Sequence, residues 1–316
     1  MAVYTHITQA QLEAYLRAFS LAPLASFSGI ASGVSNTNYR VELADGHQLI
    51  LTLFEERTPW DDLPYFLALM EHLAALGIPC PRPVRAMNGE SLHIIAEHPA
   101  AMVSYLDGAS VTKPDNLHCA AMGKQMGRMH RAVVDFPVTR RNSMGPTVWQ
   151  DLLAKGDDGS QEMANIRHHA QHIQAHWPTH LPQGAIHADL FPDNVFFNGH
   201  ELTGVIDWYF ACHDSFAYDL AIALNAWCVE PDGSIAPNHA RSLLHAYQAE
   251  RPLFADECAA MPLLLQGAAL RFLSSRQYDW LHHPADAVLT PKDPTEYKRI
   301  LAFHLDNPLV FHDWLL

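Results

Sequence analysis

The spacing of apolar residues along this chain changes from a period of two to a period near 3.6, and any fold must accommodate both. In the first third, "NYRVEL" and "QLILTLF" flank "ADGH". The Asp45-Gly46 pair there is a hairpin signal, so two antiparallel strands are expected. "SLHIIAE" and "PAAMVSYL" read as further strands, and the chain leaves them through Gly108. Two helices interrupt this part. One follows a Thr8 cap with Leu12, Tyr15, Leu16 and Phe19 at helical spacing; the other, "DDLPYFLALMEHLAALG", has acids at its front and Gly77 at its end. From Asp115 onward the helical period dominates, over 115–134, about 160–176, 215–229, 237–250 and 255–280.

One segment breaks the helical run. "IHADLFPDNVFFNGHELTGVIDW" sets acids, an amide and a histidine between apolar stretches and then alternates around Asn198-Gly199 as a small hairpin. Asp189 and Asn194 lie five apart in a loop stiffened by Pro192, and Asp207 ends the returning run, so loop and strand end can meet. Singly, such residues cap helices and fill turns. Together they offer hard oxygen ligands, which suit Mg²⁺ rather than zinc, while Asp189 can accept a proton from a substrate hydroxyl. Phosphoryl transfer needs that division: a metal to offset phosphate charge and a base to orient the attacking oxygen.

Composition narrows the partners. A net charge of -14 over 316 residues, with 49% hydrophobic content, describes a chain with a sizeable core and no broad cationic surface. Nucleic acid and anionic membrane are therefore not expected, and a small-molecule substrate is. Five cysteines (Cys80, Cys119, Cys212, Cys228, Cys258) form no CxxC pair, which suggests reduced thiols in the cytoplasm. The start has no basic segment followed by an apolar one. The most apolar stretch, 258–273, is interrupted by Gln266 and Arg271 and is expected to be a buried helix. His168, His172 and His176 share a helical face without an acid or cysteine to complete a metal site, so a solvated face is expected.

"HADLFPDN" resembles the H-x-D-x-x-x-x-N catalytic loop of the aminoglycoside phosphotransferase and choline kinase-like group, and "GVIDWYFACHDSFAYDLAIAL" resembles the segment that follows it there. The resemblance implies an α+β, two-lobed protein kinase-like fold. It would have a small N-terminal nucleotide-binding lobe with an antiparallel sheet (1–106) and a larger, mainly helical C-terminal lobe (107–316), with ATP and Mg²⁺ between them. It also implies roles: Asp189 as catalytic base, Asn194 and Asp207 as Mg²⁺ ligands, Asp219 as brace of the loop and His187 as its orienting hydrogen-bond partner.

"GIASGVSNTNY" would cover the phosphates, with Gly29 and Gly33 allowing close approach and Ser35, Asn36 and Asn38 offering donors. The backbone of Ser104, Tyr105 and Leu106 would meet adenine. "GIPCPRPV", "DLPYF" and "ALRFLSSRQYD" further resemble the branch of the group that phosphorylates L-homoserine. For that zwitterion, Arg271 or Arg276 would hold the carboxylate and Asp193 or Asp214 the ammonium. Choline, an aminoglycoside or methylthioribose remain alternative acceptors.

One departure stands out. The third strand of the group carries a lysine for the α- and β-phosphates, yet "LILTLFE" puts Thr52 at that place, and an ungapped count puts Phe66 near the place of its glutamate partner. Loss of both together is self-consistent, since one buried charge without the other is costly. An inactive nucleotide-binding module is the other reading of this loss; base and metal ligands intact favour an active enzyme.

Overall fold

Thr8 starts the first helix by a reciprocal cap: its hydroxyl accepts from the Gln11 amide, and the Gln11 side chain accepts from the Thr8 N–H. This helix, α1 (Gln9–Leu16), belongs to a computed structural model of the chain that describes residues 4–30, 36–55, 58–283 and 291–315. The chain divides into two compact units, residues 1–107 with 204–209, and residues 108–203 with 210–316.

The first unit is built on five strands, β1 (Leu24–Gly29), β2 (Thr37–Leu43), β3 (Gln48–Leu53), β4 (Leu92–Ile95) and β5 (His98–Ser104). Their order is β1-β2-β3-β5-β4, and every neighbouring pair is antiparallel. The expected hairpin joins β2 to β3 through Gly46 at φ +85°, and the two further expected strands, β4 and β5, are joined through Ala96 and Glu97, both at positive φ. Alternation sorts β2: Tyr39, Val41 and Leu43 are buried, whereas Arg40 and Glu42 face solvent. Those buried residues join Leu12, Tyr15, Leu16 and Phe19 in one apolar cluster, so α1 is held on the sheet by its own apolar stripe. After β3 the chain forms α2 (Leu63–Ala75), which buries Phe66, Leu69, Met70 and Leu73. β1 escaped the sequence pattern because its residues, "LASFSG", are mostly exposed and do not alternate.

The second unit begins with β6 (Ala109–Ser110) and continues as α3 (Asn116–Ala132), α4 (Pro146–Lys155) and α5 (Gln161–Ala175). Then come β7 (Gln183–Ile186), β8 (Val195–Asn198), β9 (Glu201–Val205), β10 (Cys212–Ser215), and the helices α6 (Phe216–Trp227), α7 (Pro237–Glu250), α8 (Ala255–His282), α9 (Thr295–Asp306) and α10 (Val310–Trp314). The chain passes into the first unit within β9 and returns before β10.

Every residue of α6 except Ala226 is buried, which makes it the central helix of this unit. α8 is long and apolar enough to cross a membrane by length and composition, but 67% of its apolar window is buried inside the unit, as expected for a core helix. α3 and α7 lie against each other: a Cβ on Gly123 would stand 2.1 Å from the Leu243 carbonyl oxygen, so only glycine permits this approach. Helices α4, α9 and α10 add to the five expected from periodicity; the start of α4 is marked by Pro146 in its first turn. The four-residue β7 and β10 pair antiparallel, with Ile186 opposite Cys212, across a separation no local pattern reveals.

Candidate active site

The loop after β7 carries the crowded motif of the second unit. Leu190 is fully buried and accepts a hydrogen bond from the Trp227 indole at 2.8 Å, and Phe191 packs edge-on against Phe272, so the apolar residues anchor the loop from below. Between these anchors and β7, Ala188 is held at φ +63°, a left-handed conformation that costs an alanine on the order of 1 kcal/mol. Asp219, fully buried in the first turn of α6, holds it there: its Oδ1 accepts the Ala188 N–H at 2.8 Å and its Oδ2 the His187 N–H at 3.1 Å.

His187 is buried, and its Nδ1 accepts the Asp189 N–H at 3.3 Å. Asn194 donates its amide to the Asp189 carbonyl at 2.8 Å and to Asp189 Oδ2 at 3.0 Å. That spends the nitrogen of Asn194 on positioning Asp189, so its Oδ1 is the atom suited to a hard cation, and the donor set fits Mg²⁺. Asp207, in the first unit, stands at φ +61°; together with Ala188 it is one of four non-glycine residues at positive φ among the described residues, the others being the turn residues Ala96 and Glu97. Strained backbone thus falls on the two motif segments.

The first unit fills the place of the absent ion pair with neutral groups. Thr52 is 3% exposed, sits opposite Asn38 in the sheet and donates to Asn38 Oδ1 at 2.7 Å. Tyr209 lies beside Thr52, and removal of its hydroxyl from water raises its pKa above the usual phenol range. Its ring packs edge-on against Phe54 at 5.1 Å and Phe66 at 5.7 Å. Buried Thr52 and Phe66 therefore meet the half-buried Tyr209 in one contact chain with no charge in it. Thr52→Lys is expected to bury an ammonium without a carboxylate, costing about 3 kcal/mol of stability with no gain in turnover. Thermal melts and a turnover assay check this; a many-fold rise in turnover would show that the site lacks the lysine rather than having replaced it.

Of the remaining nucleotide residues, Gly33 and Ser35 lie outside the described residues. Asn36 is buried and its Oδ1 accepts from the Glu55 N–H and the Thr58 hydroxyl, which ties the start of β2 to the chain after β3. The Ser104 and Tyr105 amides donate to the carbonyls of Arg82 and Gln48.

The residues expected to meet an amino-acid substrate separate by their partners. Arg276 is committed: it pairs with Glu296 and lies over the Tyr297 ring. Arg271 is 4% exposed, stacked on Phe272 at 4.4 Å and Phe210 at 5.3 Å, and has one hydrogen bond, to the Ser275 hydroxyl; among the described residues no carboxylate pairs with it. A buried guanidinium without a counter-anion is an anion site in waiting. Phe272 in turn touches Phe191 of the loop. Asp214 accepts short hydrogen bonds from Asn142 and the Ser215 N–H, and burial raises its carboxyl pKa. Asp193 is exposed and 3.5 Å from Lys292.

His168, His172 and His176 are all exposed, with the last two rings 4.2 Å apart, as a solvated face should be. A group absent from the sequence expectations, Asp115, His118 and His200, has ligand atoms within 4.8 Å of one another. Asp115 Oδ1 caps α3 through the Leu117 and His118 amides and both imidazoles hydrogen-bond to this carboxylate, so the group is a helix cap that ties α3 to the β8–β9 turn. His130 was missed as well; it lies in α3 among methionines and carries no motif.

Comparisons with known proteins agree with this geometry. Residues 26–253 match the family model described as the phosphotransferase enzyme family. The chain is 48% identical over 309 residues to a homoserine kinase of Methylobacterium nodulans, covering 96% of each chain, and equally to a homoserine kinase of Xanthobacter autotrophicus over 96% of each. Among solved structures, an amicoumacin kinase in complex with AMP-PNP and Ca²⁺ superposes with a TM-score of 0.71, covering 98% of this chain and 97% of that one at 16% identity, which establishes the shared two-lobed fold.

Proposed function

The chain belongs to the phosphotransferase enzyme family, and from that membership we propose that it transfers the γ-phosphoryl group of ATP to the side-chain hydroxyl of L-homoserine. The product is O-phospho-L-homoserine, on the way to threonine. The near full-length identity of 48% to proteins named homoserine kinase carries the choice of acceptor. Arg271, buried and without a carboxylate partner among the described residues, supports it, since an amino-acid substrate brings an anion.

In this reading the first unit is the nucleotide-binding lobe. The Leu106 amide and the carbonyls of 104–106 are assigned to the adenine edge, because the Ser104 and Tyr105 N–H groups are engaged elsewhere. Asn194 and Asp207 are assigned as oxygen ligands of Mg²⁺ on motif and donor chemistry; when bound, the ion offsets charge on the phosphates. Asp189, oriented by the Asn194 amide and the His187 ring, accepts the hydroxyl proton as that oxygen attacks phosphorus in line. The substrate ammonium is assigned to Asp193, which is exposed and pairs with the surface Lys292 at 3.5 Å, rather than to Asp214, whose two oxygens already accept bonds at 2.7 Å. With its free thiols and small-molecule chemistry, the enzyme is placed in the cytoplasm.

An ADP-release assay across a panel of alcohols tests the acceptor: turnover is expected with homoserine, and turnover with choline or an aminoglycoside but not homoserine would overturn the proposal. Arg271→Gln is expected to raise KM for homoserine by about 10- to 100-fold, the worth of one charge-assisted contact, with KM for ATP unchanged. An equal rise in both would remove Arg271 from the acceptor site.

A further inference from the structure

Asp219 braces the loop through the His187 and Ala188 amides, and its own carboxylate must be held in turn. A continuous buried chain holds it. His130, in the last turn of α3, is 1% exposed, and its Nε2 lies 3.1 Å from Asp219 Oδ2. On its other side, His130 Nδ1 lies 2.8 Å from the Tyr247 hydroxyl of α7. Arg251 Nη1 is 3.1 Å from the same hydroxyl, and Arg251 pairs with the fully buried Glu257 at 3.0 Å.

The two ends of this chain dictate the direction of every hydrogen bond in it. A guanidinium only donates, so the Tyr247 oxygen accepts from Arg251 and its proton is left for His130 Nδ1. Nδ1 therefore accepts, Nε2 carries the N–H, and that N–H points at Asp219, which as a carboxylate only accepts. His130 is thus a neutral imidazole fixed in one tautomer; burial, which lowers its pKa, acts in the same sense. Its ring also lies tilted at 4.7 Å from that of Phe216, over which the Arg251 guanidinium sits at 4.7 Å. The close approach of α3 and α7 sets the span: Gly123 and Gly127 lie against the α7 backbone at Leu243 and Tyr247, which brings His130 within one hydrogen bond of Tyr247.

We propose that His130, with Tyr247 behind it, is a positioning residue of the reaction: it locks the rotamer of Asp219 that holds the His187 and Ala188 amides, and so fixes Asp189 two bonds away. Asp219 meets three buried donors with two oxygens, so turning its carboxylate out of this plane leaves a buried donor unpaired. Without His130 the carboxylate can rotate, and the left-handed turn at Ala188 loses its hold. The inference rests on Asp189 being the base.

The test combines kinetics with a double-mutant cycle. His130→Ala and Tyr247→Phe are expected to lower kcat about 10- to 100-fold, with KM for ATP within about twofold, at temperatures where melts show both variants folded. His130→Gln, whose amide nitrogen sits near the place of Nε2, is expected to recover most of the rate. In an Asp189→Asn background, the His130 and Tyr247 changes are expected to cause no further loss, because the group they position is already gone. Parental kcat in a folded Tyr247→Phe variant, or losses that multiply with Asp189→Asn, would overturn the proposal. Should Asp189→Asn alone retain full turnover, the assignment of the base fails instead, which separates the two readings.

Discussion

Asp189→Asn will lower turnover with homoserine by about 10²- to 10⁴-fold, which corresponds to about 3–5 kcal/mol of transition-state stabilisation. The substitution is nearly isosteric. Asn194 can still donate to the remaining carbonyl oxygen of residue 189, and the loop keeps its hold through Asp219, so the local backbone is retained. Binding of ATP is therefore expected to stay within about twofold, because the change removes a proton acceptor and little else. Isothermal titration with a non-hydrolysable ATP analogue, run beside the turnover assay, separates the two effects. An unchanged rate would take the base role away from Asp189.

Asp219→Ala will act on stability first. It strips the acceptor from three buried donors, the amides of His187 and Ala188 and His130 Nε2, and each unsatisfied buried group costs about 1–3 kcal/mol. A loss on the order of 4 kcal/mol is expected after partial relaxation, a large share of the roughly 5–15 kcal/mol that holds a domain folded. The fraction still folded is expected to turn over slowly, since Ala188 would leave its left-handed conformation and Asp189 would move with it. Urea denaturation measures the loss; a change below about 1 kcal/mol would mean that the loop is held by other contacts.

Much of the architecture was legible because its signals are local. Periodicity marked α1, α2, α3 and α5 to α8, and Asp45-Gly46 and Asn198-Gly199 marked two hairpins. The motif spacing marked the loop for which the chemistry is proposed. β1, β7 and β10 were not legible because short strands without alternation are created by their partners: Cys212 is a strand residue only because Ile186 lies opposite it. The two arginines of α8 illustrate the same limit. Arg271 and Arg276 look alike in "ALRFLSSRQYD", yet among the described residues one has no carboxylate partner and the other is paired with Glu296, twenty residues on.

What the sequence by itself determined is the periodic helices, the turn-marked hairpins and the motif from which the reacting groups are proposed, since each depends on residues within a short stretch of chain. Tertiary structure alone decided how those groups are held. His130 reaches Asp219 across 89 residues and Tyr247 across 117, and Thr52 meets Tyr209 rather than a lysine's partner. Burial makes each of these contacts compulsory, because a polar group removed from water must find its partner wherever the fold delivers one.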